Sequence, residues 1–157
     1  MILTSRRQAC RRGIAALEMA LVAPLLVFLL LGLWEIGRLA EAQQILSNAA
    51  REAGRQASTG MKDTSQVQQA ALIYIQTAGL SSAGVTVTFT DMTNSGVTSP
   101  QTASQLDQLK ITVVMPASNV RWLAMSPLFS GNNLTATSCW YSMNNLPINV
   151  STTIPAN

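Results

Sequence analysis

The chain has 157 residues, 48% of them hydrophobic and only 11% charged, with two cysteines and no histidine. A soluble domain typically carries about 25% charged residues, so this is not the composition of a wholly water-exposed protein, and without histidine the Ser-His-Asp and Cys-His arrangements are excluded. The net charge of +3 sits at the N-terminal tip: Arg6, Arg7, Arg11 and Arg12 precede Gly13, and the remainder holds six basic against seven acidic residues, which leaves no basic face for nucleic acid.

From Ile14 to Trp34 every residue but Glu18 is uncharged. At about 1.5 Å per residue this run covers roughly 30 Å, the hydrocarbon thickness of a bilayer. It is too long and too evenly apolar for a buried core helix. Basic residues flanking a membrane segment stay on the cytoplasmic side. The four arginines therefore predict an N-terminus inside and residues 35 to 157 outside, which in a bacterium is the periplasm. Pro24 predicts a mild kink and Trp34 an interfacial anchor. Two readings of this N-terminus follow from the run itself, an uncleaved signal anchor and, as the second, a signal peptide cut after "LAEA" at residues 39–42. Against the second, the apolar run exceeds the 7 to 15 residues of a signal h-region.

The helix is predicted to continue to about Ala57, a rod of roughly 66 Å. Leu39, Ala42, Leu46, Ala49 and Ala53 form an apolar stripe of small residues on one face. Glu35 with Arg38, and Arg38 with Glu41, are candidate ion pairs. Gly60 ends the rod, and Thr64 or Ser65 is the expected cap of a second helix that stops at Gly79. Strands are predicted at 85–90, 109–115 and 134–143, a polar loop at 91–105, a short helix at 119–129 and an extended tail after Asn144. The expected fold class is α+β: a long N-terminal helix, one or two further helices and a roughly three-stranded antiparallel sheet. Its divisions are a leader at 1–13, a membrane helix at 14–34, its continuation at 35–59, a small domain at 60–145 and a tail at 146–157.

Three further segments carry a resemblance. The first is Gly13-Ile14-Ala-Ala-Leu-Glu18-Met-Ala-Leu-Val-Ala-Pro24, a basic leader ending in glycine with glutamate five residues on. The second is Glu35-Ile-Gly37-Arg38-Leu39, and the third is "QQILSNAAREAGRQA" at residues 43–57, with Asn48, Arg51 and Glu52. The first resembles the type IV prepilin processing site. The three together resemble the TadE-like family, pseudopilins of the tight-adherence (Flp) pilus. Met19 stands where Tad-system pilins typically have tyrosine. The resemblance implies cleavage between Gly13 and Ile14 by a prepilin peptidase and pairing of Glu18 with the new Ile14 amine of a neighbouring subunit. It also implies partnership with other pilins and an inner-membrane assembly platform, and a role in pilus assembly or initiation, adhesion and biofilm formation. The protein would be a minor component with no cofactor and no chemistry of its own.

Other classes leave weaker marks. Asp63, Asp91 and Asp107 are scattered and read as solvated caps and loops. Cys139, beside Trp140 and Tyr141, reads as a buried strand residue or an interchain thiol, and Cys10 would lie across the membrane from it. Trp122, Leu123, Met125, Leu128 and Phe129 read as core or as a partner surface. A minor pseudopilin of type II secretion and an uncleaved periplasmic adaptor or adhesin are the alternative functions.

Overall fold

The computed structural model describes the backbone of residues 3–121 and 133–144, and the side chains of 15–121 and 133–144. Helix α1 spans Leu3–Ser58 and helix α2 Thr64–Thr77. Strands β1 (Thr86–Asp91), β2 (Gln108–Met115) and β3 (Leu134–Tyr141) form one antiparallel sheet in the order β1-β2-β3. The α+β expectation therefore holds, with each strand within two residues of its predicted limits. Short 3-10 turns lie at Pro100–Thr102 and Ala117–Asn119.

Helix α1 begins earlier than predicted, because its backbone runs unbroken through the basic leader and past Gly13. Pro24 lies inside it without ending it. The helix stops at Gly60, whose φ of +65° is the left-handed backbone that glycine adopts without cost. The cap of α2 is Asp63, not Thr64 or Ser65. Its Oδ1 accepts the Gln66 N–H at 2.8 Å while Gln66 Oε1 accepts the Asp63 N–H, a reciprocal capping box. Thr64 turns its hydroxyl to the Thr98 carbonyl instead.

The core lies between α1, α2 and one face of the sheet. Ala42, Leu46, Ala49, Ala53 and Ala57 of α1 are fully buried, with Val67, Ala71 and Ile75 of α2 and Leu109, Ile111, Val113 and Met115 of β2. Small residues on α1 let the helix axis approach the sheet closely. The approach is tightest at Gly54, where a Cβ would collide with the Trp140 indole. The outer sheet face is polar and threonine-rich: Thr86, Thr88, Thr90, Thr135 and Thr137 are exposed. Period-2 alternation with one wet face is what an antiparallel sheet covered on one side requires.

Two hydrogen bonds orient the sheet along the rod. Gln43 Nε2 donates to the Thr135 carbonyl at 2.8 Å, and the Met143 N–H donates to the Ser58 carbonyl at 2.8 Å. Strand β3 thus runs in the same direction as α1, from the level of Gln43 to the level of Ser58. The start of β1, the end of β2 and the end of α2 lie toward Gln43. The 92–107 connection, Asp63 and Asn144 lie toward Ser58.

Two readings of acidic and thiol residues need correction. Asp91 and Asp107 are not solvated but only 3% and 7% exposed. Asp91 Oδ1 accepts the N–H groups of Thr93 and Asn94, and Asp107 Oδ2 accepts that of Ser104, so both carboxylates close turns. Cys139 is exposed, because it points to the outer face, cross-strand from Lys110. The predicted helix at 119–129 has a 3-10 turn at its start. The apolar cluster from Trp122 to Phe129 and the tail after Asn144 lie outside the described residues.

Candidate anchoring and assembly surface

Helix α1 changes character along its length. Leu17, Leu21, Leu25, Phe28, Leu30, Leu33 and Trp34 are all more than 60% exposed, and Ile36 is 57% exposed. From Ala42 onward the stripe facing the sheet is buried to within 1%. A monomer in water rarely bares a contiguous apolar patch beyond a few hundred Å². The helix from Ala15 onward has a mean hydropathy of 2.4 over its most apolar window, and none of that window is buried. It has the length and apolarity of a membrane anchor.

Glu18 stands exposed in this apolar stretch. An ionised side chain at the centre of a membrane helix costs on the order of 2.5–3.5 kcal/mol by insertion scales, and Glu18 lies nearer the N-terminal edge of the run. Gly13 and Ile14 lie in helical backbone five and four residues before it, and their side-chain surroundings are outside the described residues. Glu18 and Glu35 are about 25 Å apart along the helix, so the residues singled out in the sequence do not converge on one pocket. They mark successive levels of a rod.

At the Glu35 level, Glu35 is half-buried, while Gly37 and Arg38 are exposed. A Cβ at Gly32 or Gly37 would meet nothing within 4 Å, so nothing in the described fold requires glycine there. That contrasts with Gly54, which the sequence did not single out and which the Trp140 contact explains. Asn48 is half-buried and Arg51 exposed.

Glu52 is drawn into a hydrogen-bonded network. It pairs with Arg55 at 2.7 Å and accepts from Gln56 Nε2 at 2.7 Å; Gln56 Oε1 in turn accepts from Lys62 Nζ at 2.7 Å. The Arg55 hydrogen bond is the main cause that lowers the Glu52 carboxyl to about 2 from 4.5, with Gln56 next. The same bond raises the Arg55 guanidinium further above its ordinary value. The network borders an open groove of about 510 Å³ between α1 and α2, lined also by Gln66, Ile73 and Tyr74. Among the described residues no three His, Cys, Asp or Glu side chains gather as a metal ion would need. The arrangement ties the turn after α1 back onto the rod and places no nucleophile beside a base.

The decisive comparison covers this helix. Residues 13–55 match the TadE-like protein family. The TadE-like segment begins at the proposed processing glycine, takes in the exposed apolar stretch and ends within the stripe buried by the sheet. The family is a pilus-related one of the Tad system. Neither curated proteins nor solved structures gave a match to the chain. The sheet and α2 lie outside the TadE-like segment and are described by their own geometry alone.

Proposed function

We propose that the chain is a minor pilin or pseudopilin of a Tad (Flp) pilus. Residues 14–34 anchor it in the bacterial inner membrane with the N-terminus cytoplasmic and the folded domain periplasmic. A prepilin peptidase cuts between Gly13 and Ile14. Glycine is the residue a helix interior holds least well apart from proline, by about 1 kcal/mol relative to alanine, which favours local opening at that bond. Cleavage removes the arginine tip and exposes an ammonium group on Ile14. Glu18 of one subunit then pairs with that ammonium group of a neighbour, and the pair fixes the axial register of adjacent rods. The mature subunit takes part in assembly or initiation of the fibre together with other pilins and the inner-membrane platform.

The observation that carries this reading is the coincidence of the TadE-like match with a helix that is largely bare from Leu17 to Ile36 and carries from Ala42 on a stripe buried by its own domain. The test is N-terminal sequencing of the protein extracted from membranes. Ile14 as the first residue is expected. Met1 would identify an uncleaved anchored adaptor or adhesin, and Gln43 a secreted domain. Neither is compatible with the proposal.

A further inference from the structure

We infer that the end of the folded domain built from residues 79–85 and 116–121 rests on the phospholipid headgroups of the same bilayer that holds the anchor helix. The inference depends on the anchoring reading above and adds the domain's orientation and its contact with lipid.

Direction is the first argument. The bonds from Gln43 to Thr135 and from Met143 to Ser58 align β3 with α1, so the end of the domain nearest the apolar stretch is the one at the Gln43 level. The loops at that end form one base, because Asn119 Nδ2 donates to the carbonyls of both Ser81 and Ala83, at 3.2 and 2.7 Å. The final carbonyls of α2 point the same way. Those of Tyr74, Ile75 and Gln76 are taken by the N–H groups of Ala78, Leu80 and Gly79, so little bare negative charge faces the base.

Distance is the second. Trp34 closes the apolar run, Leu39 already packs against the core and Ala42 is fully buried. From Trp34 to Leu39 is about 7.5 Å of helix and to Ala42 about 12 Å. The headgroup layer on each side of a bilayer is roughly 5–8 Å deep. The domain therefore begins where the headgroups end, without a stalk long enough to lift it clear.

Charge distribution is the third. Residues 64–90 contain no charged side chain, and residues 116–121 contain only Arg121. Ser81, Ala83, Gly84 and Ser118 are exposed there, small and uncharged. Asp63, Asp91 and Asp107 lie at the opposite end, and the Glu52 network stands near them. On α1 itself Arg38 and Glu41 are exposed and lie off the core stripe. An anionic lipid surface repels carboxylates and attracts cations at short range; among the described residues the base loops hold one arginine and no acid, while Glu35 and Glu41 on the rod at the same level each stand three residues from Arg38.

The test uses the full chain in vesicles containing anionic phospholipid, with Cys10 and Cys139 changed to serine and one fluorescent label at a time. Labels are placed by Leu25→Cys in the anchor, Ser81→Cys and Ser118→Cys in the base, and Ser95→Cys at the far end. Lipids carrying a quencher on the headgroup or at mid-chain report depth. The expected result is mid-chain quenching at Leu25, and headgroup quenching at Ser81 and Ser118 several-fold greater than at Ser95. Arg121→Glu is expected to weaken the quenching at Ser118 in anionic vesicles. Quenching at Leu25 with no excess at Ser81 and Ser118 over Ser95 would overturn the lipid contact and leave the anchor intact. No quenching at Leu25 would overturn both.

Discussion

At Gly54 the missing side chain is a packing device. The Trp140 indole occupies the space a Cβ would need. Gly54→Ala gains up to about 1 kcal/mol of helix propensity but forces overpacking worth about 1–3 kcal/mol. A net loss of stability is expected in denaturant titration. In the Trp140→Ala background the same change should become stabilising, a sign reversal that a double-mutant cycle detects. Glu52 contributes a pH-dependent part of the stability. Its folded-state carboxyl is held near 2 against 4.5, so its contribution is fully present above about pH 5 and is lost as the pH falls toward 2. The pair is partly exposed, at 60% for Arg55 and 30% for Glu52, so the contribution is in the range of about 0.2–1 kcal/mol. Thermal melts of the wild type and Glu52→Gln should differ at pH 7 and converge near pH 2.

Helix α2 depends on its first turn. The capping box at Asp63 satisfies N–H groups that would otherwise be orphaned. Backbone donation from Gln66, then the Ser65 hydroxyl, holds the Asp63 carboxyl below its usual range. Asp63→Ala should lower the melting temperature, with amide exchange in residues 64–68 accelerated first, whereas Thr64→Ala should leave those amides protected. At the sheet edges two glutamines act alike. Gln68 Nε2 donates to the Val87 carbonyl at 2.9 Å on β1, and Gln43 to Thr135 on β3. Each occupies an acceptor that an unpaired edge would otherwise offer to another chain. On α1 the stripe of small residues has an occupant. Ala42, Ala49 and Ala53 are buried by the chain's own sheet and second helix, so the subunit contacts of the proposed fibre would fall to the bare stretch below Ala42 and to the outer side of the rod.

For the whole molecule, the rod and the domain have separate tasks. About half of α1 is a core element, and the large apolar residues from Leu17 to Ile36 are exposed among the described residues. A charge change in the bare half should therefore alter assembly without altering the fold. Glu18→Ala is expected to insert in the membrane and to melt as the wild type does, yet to be lost from sheared pilus fractions. Normal incorporation of that variant would remove the proposed register pair.

The apolar run, the continuous helix and the positions of the three strands were all legible in the sequence. They depend on local periodicity and on residue types that act over a few neighbours. The TadE-like pattern was legible for the same reason, since it lies along one helix. The cap of α2 was misplaced by one or two residues because Asp63, Thr64 and Ser65 are all chemically able to cap. Only backbone geometry selects the carboxylate whose oxygen meets the Gln66 N–H. Asp91 and Asp107 were read as solvated because their burial comes from the turns that their carboxylates close, and of the two readings of Cys139 the exposure of the outer sheet face removes the buried one and leaves the interchain one open. Gly54 carried no signal of its own, since its reason is an indole 86 positions away. What the amino-acid order determined alone is the anchor, the rod and the strands. What tertiary structure decided is which face of the rod is spent on the sheet and which end of the domain points to the anchor, because both depend on contacts between residues far apart in the chain.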